Sequence, residues 1–143
     1  PWIRGGSGVT SHVVEEGYPV GQFFMLKCNG IDENGKFIME DVNKDGQISD
    51  DDRTYVGDSQ PDLTFGWNNT FTWKNWDASF FLRGQIGGKL LNNPRAAYGN
   101  NTYVAGANAM KGDDLMLLRE NSRVSSYYLE NASFARLDNM SIF

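Results

Sequence analysis

The chain has 143 residues and a formal net charge of −5, with 13 basic and 18 acidic side chains and no cluster of Lys or Arg. A chain of this length forms one domain or part of a larger one, and it lacks the positive patch through which proteins bind nucleic acid, so we expect no nucleic-acid partner. The single Cys28 and the single His12 exclude a Cys/His zinc cluster and an intramolecular disulfide, and the absence of any apolar run of ten residues excludes a transmembrane helix.

The two ends of the chain resemble the interior of a longer polypeptide. It begins with Pro1-Trp2-Ile3 and no initiator methionine, and Phe143 stops what we interpret as a strand in mid-run. We therefore expect residues 1–143 to be a fragment of a larger protein. Residues 5–17 are rich in Gly and Ser and are predicted to form a loop, and His12 in that loop has no acidic or nucleophilic neighbour that would favour a catalytic role.

Short strands are predicted in the first part of the chain. A turn at residues 16–21 precedes the almost wholly apolar segment from Gln22 to Cys28, which is predicted to be a strand. Residues 29–35 predict another turn, and residues 36–40 and 53–57 predict brief extended segments. Cys28 ends the apolar segment, so we expect its side chain to pack and not to act as a nucleophile.

An acidic loop at residues 41–52 matches the spacing of calcium-binding loops. A calcium ion takes about 6–8 oxygen ligands at about 2.3–2.6 Å, and a glycine at the sixth position lets the chain reverse around it. Gly46 is at that position. Gln47 would contribute its backbone carbonyl, and Ser49 would act directly or through water. The predicted ligands, and calcium as the one candidate cofactor, therefore involve Asp41, Asn43, Asp45, Gln47, Ser49 and Asp52.

Two features of this loop depart from the helix-loop-helix pattern. Position 12 is Asp52, one methylene shorter than the usual bidentate Glu, as in dockerin-type loops. No amphipathic helix is predicted on either side of the loop. The alternative is a rigid acidic turn that is held together by hydrogen bonds from its Asp and Asn side chains and whose charges are solvated.

The longest regular pattern in the sequence covers residues 63–86. Apolar side chains fall on odd positions up to Trp73 and on even positions from Trp76, with Lys74-Asn75 between them. A period of two indicates strands, and a two-residue loop would pair Trp73 with Trp76 and set the register of the whole hairpin. That register collects on one face the side chains of Leu63, Phe65, Trp67, Phe71, Trp73, Trp76, Phe80, Leu82 and Ile86.

The opposite face of this hairpin is mostly polar. Asn69 on the apolar face and Phe81 on the polar face are the exceptions, and Lys74 is not a residue that tight hairpin turns prefer. Arms of about eleven residues match the roughly 9–11 that a tilted strand needs to cross a bilayer, and two tryptophans at the turn match the aromatic girdle of membrane barrels. A half-buried hairpin in a soluble sheet shows the same alternation, so the hairpin alone leaves both interpretations open.

The remaining sequence is divided between a long irregular stretch and a terminal strand region. Residues 87–126 contain many Gly, Asn and Pro breakers, with weak helical periodicity only at residues 114–120. A loop of some forty residues is normally functional or disordered. Residues 127–143 are predicted to return to strand, with an alternation too mixed to assign faces.

Several of these segments together resemble the C-terminal part of the SusC/RagA-type TonB-dependent outer-membrane receptors of Bacteroidetes. Their order and spacing extend over almost the whole chain. The segments that carry the resemblance are Glu16-Gly17-Tyr18-Pro19-Val20-Gly21-Gln22-Phe23, Asn29-Gly30-Ile31, Asp41-Val42-Asn43-Lys44-Asp45-Gly46-Gln47-Ile48 with Asp52-Arg53-Thr54, residues 56–66 (VGDSQPDLTFG) and residues 128–137 (YLENASFARL).

The resemblance implies an all-β fold of antiparallel strands, taken from the C-terminal part of a 22-stranded barrel that an N-terminal plug closes. It also implies an outer-membrane receptor that imports glycan or peptide fragments with a SusD-like lipoprotein, using energy delivered through TonB. The apolar face of the hairpin would then contact lipid, and the opposite face would line the lumen. By the same reasoning the Lys74-Asn75 turn would be periplasmic, and the acidic loop and residues 87–126 would be extracellular.

Two further hypotheses remain open at this point. One is a secreted, calcium-stabilised β-sandwich that binds carbohydrate through Trp67, Trp73 and Trp76. The other is a hydrolase with Asp62 and Asp77 as its carboxylate pair, which we do not expect because no nucleophile, base and orienting group recur at suitable spacing. Taken out of a barrel, the chain is not expected to transport anything and is expected to self-associate through its strand edges and aromatic stripe.

Overall fold

The computed structural model describes residues 2–4, 10–99, 118–119 and 123–143. The described part is built of antiparallel strands with very little helix, as the sequence predicts. Among the described residues, one short helix, α1, covers Asn93–Tyr98, and 3₁₀ turns cover Asp50–Asp52 and Ser126–Tyr128. The strands are β1 (Trp2–Arg4), β2 (Thr10–Val13), β3 (Gln22–Leu26), β4 (Cys28–Ile31), β5 (Phe37–Met39), β6 (Arg53–Asp58), β7 (Leu63–Trp73), β8 (Trp76–Ile86), β9 (Lys89–Leu91), β10 (Leu129–Asn131) and β11 (Phe134–Ile142).

None of the helices in the described part of the chain is long and apolar enough to cross a membrane. The strands of the described residues form four groups. The strand order is β1-β2-β3-β6 in the first sheet and β11-β8-β7 in the sheet that contains the long hairpin, and the pairs β4-β5 and β9-β10 form two small ribbons. In chain order, the acidic loop lies between β5 and β6, and the long hairpin follows β6 directly.

The buried core lies where β3 and β6 meet the β9-β10 ribbon. Phe23, Met25 and Val56 are buried there, with Leu91 and Leu129 packed against them. The predicted strand from Gln22 to Cys28 ends at Leu26, because Cys28 already belongs to β4. A second cluster joins Ala96 of α1 to Tyr128 and the side chains around it.

The turn predicted at residues 29–35 is wrong for its first three residues, which lie in a strand. Asn29, Gly30 and Ile31 lie in β4, and the ladder is irregular between Cys28 and Ile31, where Gly30 has a φ of 139°. The reversal starts at Asp32, whose Oδ1 accepts hydrogen bonds from the backbone N–H groups of Asn34 and Lys36. A glycine that permits an irregular strand has the same sequence signature as a glycine that makes a turn.

The β7-β8 hairpin has the predicted register along its whole length, from Leu63 opposite Ile86 to Trp73 opposite Trp76. Lys74 makes the turn with a φ of 55°, and Asn75 is not among the residues with positive φ. Positive φ at the first central position only is the pattern of a type II′ turn, which Gly normally occupies.

Strand β11 pairs with β8 and extends this sheet. The ladder shifts between Leu137 and Asn139, so Asp138 is an extra residue in a β-bulge. A bulge of one residue exchanges the faces on which odd and even positions lie. Leu137 before it, and Met140 and Ile142 after it, therefore all stand on the apolar face, opposite Leu82, Phe80 and Ala78. This exchange is why the sequence of residues 127–143 shows no simple alternation.

The stretch predicted to be irregular contains structure that the sequence did not indicate. Strand β9 pairs with β10, and α1 follows it, with Pro94 in its first turn and the Asn92 side chain accepting a hydrogen bond from Arg95 N–H. Six residues are too few to show a helical period. The helix expected at residues 114–120 lies outside the described residues, except for Leu118 and Arg119, which are in neither helix nor strand.

Candidate functional site

The acidic loop, residues 41–52, is held by its own carboxylates. Asp41 accepts hydrogen bonds from Lys44 N–H at 2.6 Å and from Gly46 N–H at 2.9 Å, one on each carboxylate oxygen. Lys44 and Gly46 have positive φ, 62° and 82°. Asp41 therefore stabilises the tight reversal of the chain that the glycine makes possible.

The middle of the loop continues this pattern. Asn43 Oδ1 accepts from Asp45 N–H at 2.9 Å, and Asp45 Oδ1 accepts from Gln47 N–H at 2.7 Å. Asn43 Nδ2 also donates to Asp45 Oδ2 at 3.2 Å. These side-chain contacts make a chain of Asx turns, which is the geometry expected of the rigid acidic turn.

Asp52 closes the acidic loop from inside. Its side chain is fully buried, and Oδ1 accepts from Val42 N–H at 2.9 Å and from Asn43 N–H at 3.4 Å, while Oδ2 accepts from Ser49 N–H at 2.8 Å. The hydrogen bond from Ser49 N–H, followed by those from Asn43 and Val42, lowers the pKa of Asp52, although burial acts in the opposite direction. The Ser49 hydroxyl in turn accepts from Asp51 N–H, so Ser49 and Asp52 form a reciprocal capping box.

The predicted ligands Asp41, Asn43 and Asp45 lie in the same loop, but their side-chain oxygens accept hydrogen bonds from backbone N–H groups. Within the described residues, no group of three or more His, Cys, Asp or Glu side chains is arranged to hold a metal ion. An ionised carboxylate has about four acceptor positions, so Asp41 and Asp45 retain acceptor capacity, whereas Asp52 has three of its positions filled. The donor chemistry suits a hard cation, and Asp52 acts as a buried clamp for the backbone.

The apolar face of the β7-β8-β11 sheet is defined by the nine side chains predicted to contact lipid together with Leu137, Met140 and Ile142. Pairing places the nine on one face of the hairpin. Trp73 is 68% exposed, Trp76 61%, and Trp67 and Phe71 56% each. Phe80 packs between the last two, with ring centroids 5.4 Å from Trp67 and 6.1 Å from Phe71. The result is a continuous exposed aromatic surface.

The side chains of the apolar face differ in how much of their surface the sheet covers. Phe65, Phe80 and Leu82 are half-buried, and the ring of Phe65 lies over Gly84, where a Cβ atom would meet it at 2.6 Å. Leu63 and Ile86 are exposed at the end of the hairpin away from the turn. An exposed apolar area of this extent marks a contact with lipid or with another protein surface.

The opposite face of the sheet carries charge. Arg83 and Arg136 stand directly opposite each other on β8 and β11. Like charges in this position destabilise a sheet, and the bulged Asp138 offsets them by pairing with both, its Oδ1 lying 2.5 Å from Arg136 Nε. Ser79 and Ser141 share a hydrogen bond of 2.7 Å across the same strands. Sequence reasoning missed this cluster because it depends on the register of β11.

The hydrolase hypothesis fails on geometry. Asp62 immediately precedes β7, and Asp77 follows the turn at its other end, so the length of the strand separates the two carboxylates. At about 3.4 Å per residue that separation is roughly 35 Å, far too long for two carboxylates to act on one bond.

Comparison with known proteins gives one consistent relationship. No protein-family profile matches the chain. It is similar to TonB-dependent receptor P3 of Formosa agariphila (28% identity, 92% of this chain) and to TonB-dependent receptor P26 of the same organism (36% identity, 61% of this chain). It is also similar to TonB-dependent receptor SusC of Bacteroides thetaiotaomicron, with 29% identity over 98% of this chain.

A solved structure of the RagAB peptide transporter shares the fold, with a TM-score of 0.68 and 25% identity over 94% of this chain. The chain spans only 16%, 10% and 15% of the lengths of the three receptors, in the order given above, and 18% of the matched chain in that structure. Sequence and structure therefore relate it to one limited part of these much longer proteins.

Proposed function

This chain is related along nearly its whole length to the SusC/RagA-type TonB-dependent receptors of the outer membrane, and from that relationship we propose that it forms part of the wall and outer loops of such a receptor barrel. Transport would require the rest of the receptor. The relatives are receptors and transporters, which fits a role without enzymatic chemistry.

The observation that carries this proposal is the two-faced β7-β8-β11 sheet. A barrel strand in a membrane alternates between side chains that contact lipid and side chains that face the lumen. The exposed aromatic face supplies the first kind, and the face with Arg83, Arg136 and Asp138 supplies the second. In a water-soluble sheet, an apolar face of this size would need a second layer to cover it.

The lengths of the connections between strands indicate on which side of the membrane each connection lies. Short turns of such barrels are periplasmic and long loops are extracellular. The two-residue turn at Lys74-Asn75 would therefore be periplasmic. The acidic loop and residues 87–126 would lie outside the cell, where they can contact a ligand and a SusD-like lipoprotein.

We infer that the complete receptor imports glycan or peptide fragments, with a SusD-like lipoprotein as its outer partner and TonB as its energy source through other parts of the receptor. The similarity to SusC and to the RagAB peptide transporter supports this class of partner and cargo. The alternative of a secreted, calcium-stabilised β-sandwich that binds carbohydrate has no comparable support.

Fractionation of the source cells tests the proposal directly. Antiserum against this chain should detect an outer-membrane band several times heavier than 16.0 kDa that resists extraction with alkaline carbonate. A soluble or secreted band near that mass would contradict the proposal and favour the β-sandwich alternative.

We further propose that the acidic loop binds calcium and that the ion stiffens an extracellular loop without a catalytic role. The support is the oxygen-rich donor set of Asp41, Asn43 and Asp45 around a glycine reversal, with acceptor capacity remaining on both carboxylates. Calorimetric titration of the receptor with calcium should give a binding isotherm that the double substitution Asp41→Asn with Asp45→Asn abolishes. Asp51→Asn removes the same kind of charge outside the predicted ligand set and should bind normally; equal loss in that variant would refute a specific site.

A further inference from the structure

Lys74 holds a backbone conformation that is unfavourable for a lysine. Its φ of 55° lies in the left-handed region, and it is the first central residue of the β7-β8 turn. Glycine adopts this conformation without a steric cost, and type II′ turns strongly prefer it at this position. A strained residue that persists in an exposed turn suggests that its side chain has a function.

The Lys74 side chain lies against the aromatic end of the sheet. Its Nζ is 4.9 Å from the centroid of the Trp73 ring, a cation–π contact. Trp73 is paired with Trp76, and these two rings are among the most exposed of the apolar face. In membrane proteins, indole rings at the end of such a face lie at the level of the lipid head groups. The ammonium group is therefore held at that same level.

The charge of Lys74 is not neutralised by the described part of the chain. None of the ion pairs found there involves Lys74. An ammonium group has three N–H donors and no acceptor, and an indole ring faces it without satisfying those donors. An anionic oxygen can accept hydrogen bonds from these donors, and the phosphate group is the anion that a lipid presents at head-group level.

We propose that Lys74 binds the phosphate group of a membrane lipid at the turn end of the β7-β8 hairpin. Trp73 and Trp76 flank the bound head group, and the apolar face beyond them contacts the acyl chains. The indole ring beside the ammonium and the exposed apolar face beyond it make a lipid the occupant and not a free phosphate ion, which has no apolar part to contact them. This inference rests on the proposed function, because it requires the apolar face to lie in a bilayer.

The test uses the receptor that carries this chain, inserted in nanodiscs of phosphatidylcholine and phosphatidylglycerol and then released into neutral detergent. Native mass spectrometry counts the phosphatidylglycerol molecules that remain bound. A basic residue near a membrane surface contributes enough attraction that its loss should weaken retention about fivefold. We expect this loss in Lys74→Gln and in Lys74→Gly and near-normal retention in Lys74→Arg.

Lys74→Gly separates lipid binding from a purely structural role. It relieves the backbone strain, so it should raise the stability of the hairpin while it lowers lipid retention. Lys36→Gln, which removes the same charge from the β4-β5 turn, should leave retention unchanged. Unaltered retention in Lys74→Gln, equal loss in Lys36→Gln, or displacement of the lipid by inorganic phosphate alone would each overturn the inference.

Failure of the proposed function has a different signature. A wild-type protein that does not enter the bilayer at all, and shows no heat-modifiable band on electrophoresis, would overturn both proposals. A wild-type protein that inserts normally but retains phosphatidylglycerol no better than Lys74→Gln would overturn only the lipid site.

Discussion

Asp52 accepts three backbone hydrogen bonds in a fully buried position, and the acidic loop closes around it. Replacing it by Asn removes the charge and places an amide donor among backbone donors. We expect Asp52→Asn to increase hydrogen–deuterium exchange at the amides of Val42, Asn43 and Ser49, since each loses a charged acceptor. Asp51→Asn, an exposed change of the same kind, should exchange like the wild type. Equal protection of these amides in both variants would show that the Asp52 carboxylate does not hold the loop together.

The same carboxylate gives the loop a pH dependence of known sign. Because the pKa of Asp52 is lowered in the folded state, its contribution to stability is present above the unfolded value of about 3.9 and is lost as the pH falls through the folded value. Exchange of the loop amides, corrected for intrinsic rates, should therefore accelerate in the wild type only in acid. Asp52→Asn should lack this acid step, and an acid step of equal size in both would assign the effect to another group.

Gly84 leaves no room for a side chain. A Cβ atom there would lie 2.4 Å from the carbonyl oxygen of Phe134 and 2.6 Å from the ring of Phe65. We expect Gly84→Ala to destabilise the sheet by about 1–3 kcal/mol, the usual cost of overpacking, as measured by urea unfolding of the reconstituted receptor. At Gly66 a Cβ atom would meet only the Phe81 ring, at 3.4 Å, so Gly66→Ala is the matched control and should change stability by about 0.5 kcal/mol or less.

At the scale of the element, alternate side chains of the β7-β8 hairpin face two different environments. Trp67 and Asn68 are neighbours near the middle of β7 that point to opposite faces. If the first faces lipid and the second the lumen, Trp67→Arg should cost about 2–4 kcal/mol, whereas Asn68→Arg should cost about 1 kcal/mol or less. The folded fraction in vesicles, followed by the heat-modifiable band, measures both.

Trp67→Leu completes this comparison, since it removes the ring and its contact with Phe80 but keeps the position apolar. It should be milder than Trp67→Arg. Equal effects of arginine at positions 67 and 68 would mean that the two faces have the same environment, which would remove the main structural support for a barrel wall.

The hairpin could be predicted from sequence because period-two alternation and a two-residue turn are local features that fix register together. The faces of β11 could not, because the extra residue Asp138 reverses the alternation in mid-strand and nothing local marks a bulge without glycine. The charge cluster of Arg83, Arg136 and Asp138 was hidden for the same reason, since it forms only when residues some fifty positions apart pair in that register.

In the acidic loop too, some features could be predicted from the local sequence and others depend on packing. Its oxygen spacing and glycine reversal are visible in the sequence, and the structure has the turn that they predict. The burial of Asp52 depends on how the loop packs, so the sequence did not distinguish a ligand at position 12 from a backbone clamp. Strand β9 and helix α1 were missed because each is too short to show a period.

At the scale of the whole molecule, the described chain leaves much apolar surface without a partner. Trp67, Phe71, Trp73 and Trp76 are exposed together on one face. In the sheet order β11-β8-β7, the outer edges of β7 and β11 pair with no other described strand. Both features favour association with further strands or with an apolar phase.

We therefore expect the 143-residue chain, prepared alone in aqueous buffer, to sediment as oligomers in analytical ultracentrifugation. Detergent above its critical micelle concentration should dissociate them, since micelles cover the apolar face. Replacing Trp73 and Trp76 together by Ser should reduce association without detergent, whereas replacing Thr70 and Thr72 on the opposite face by Ser should not. A stable monomer of the wild-type chain in buffer would show that its apolar face is covered within the chain itself, and the barrel-wall assignment would then lose its physical basis.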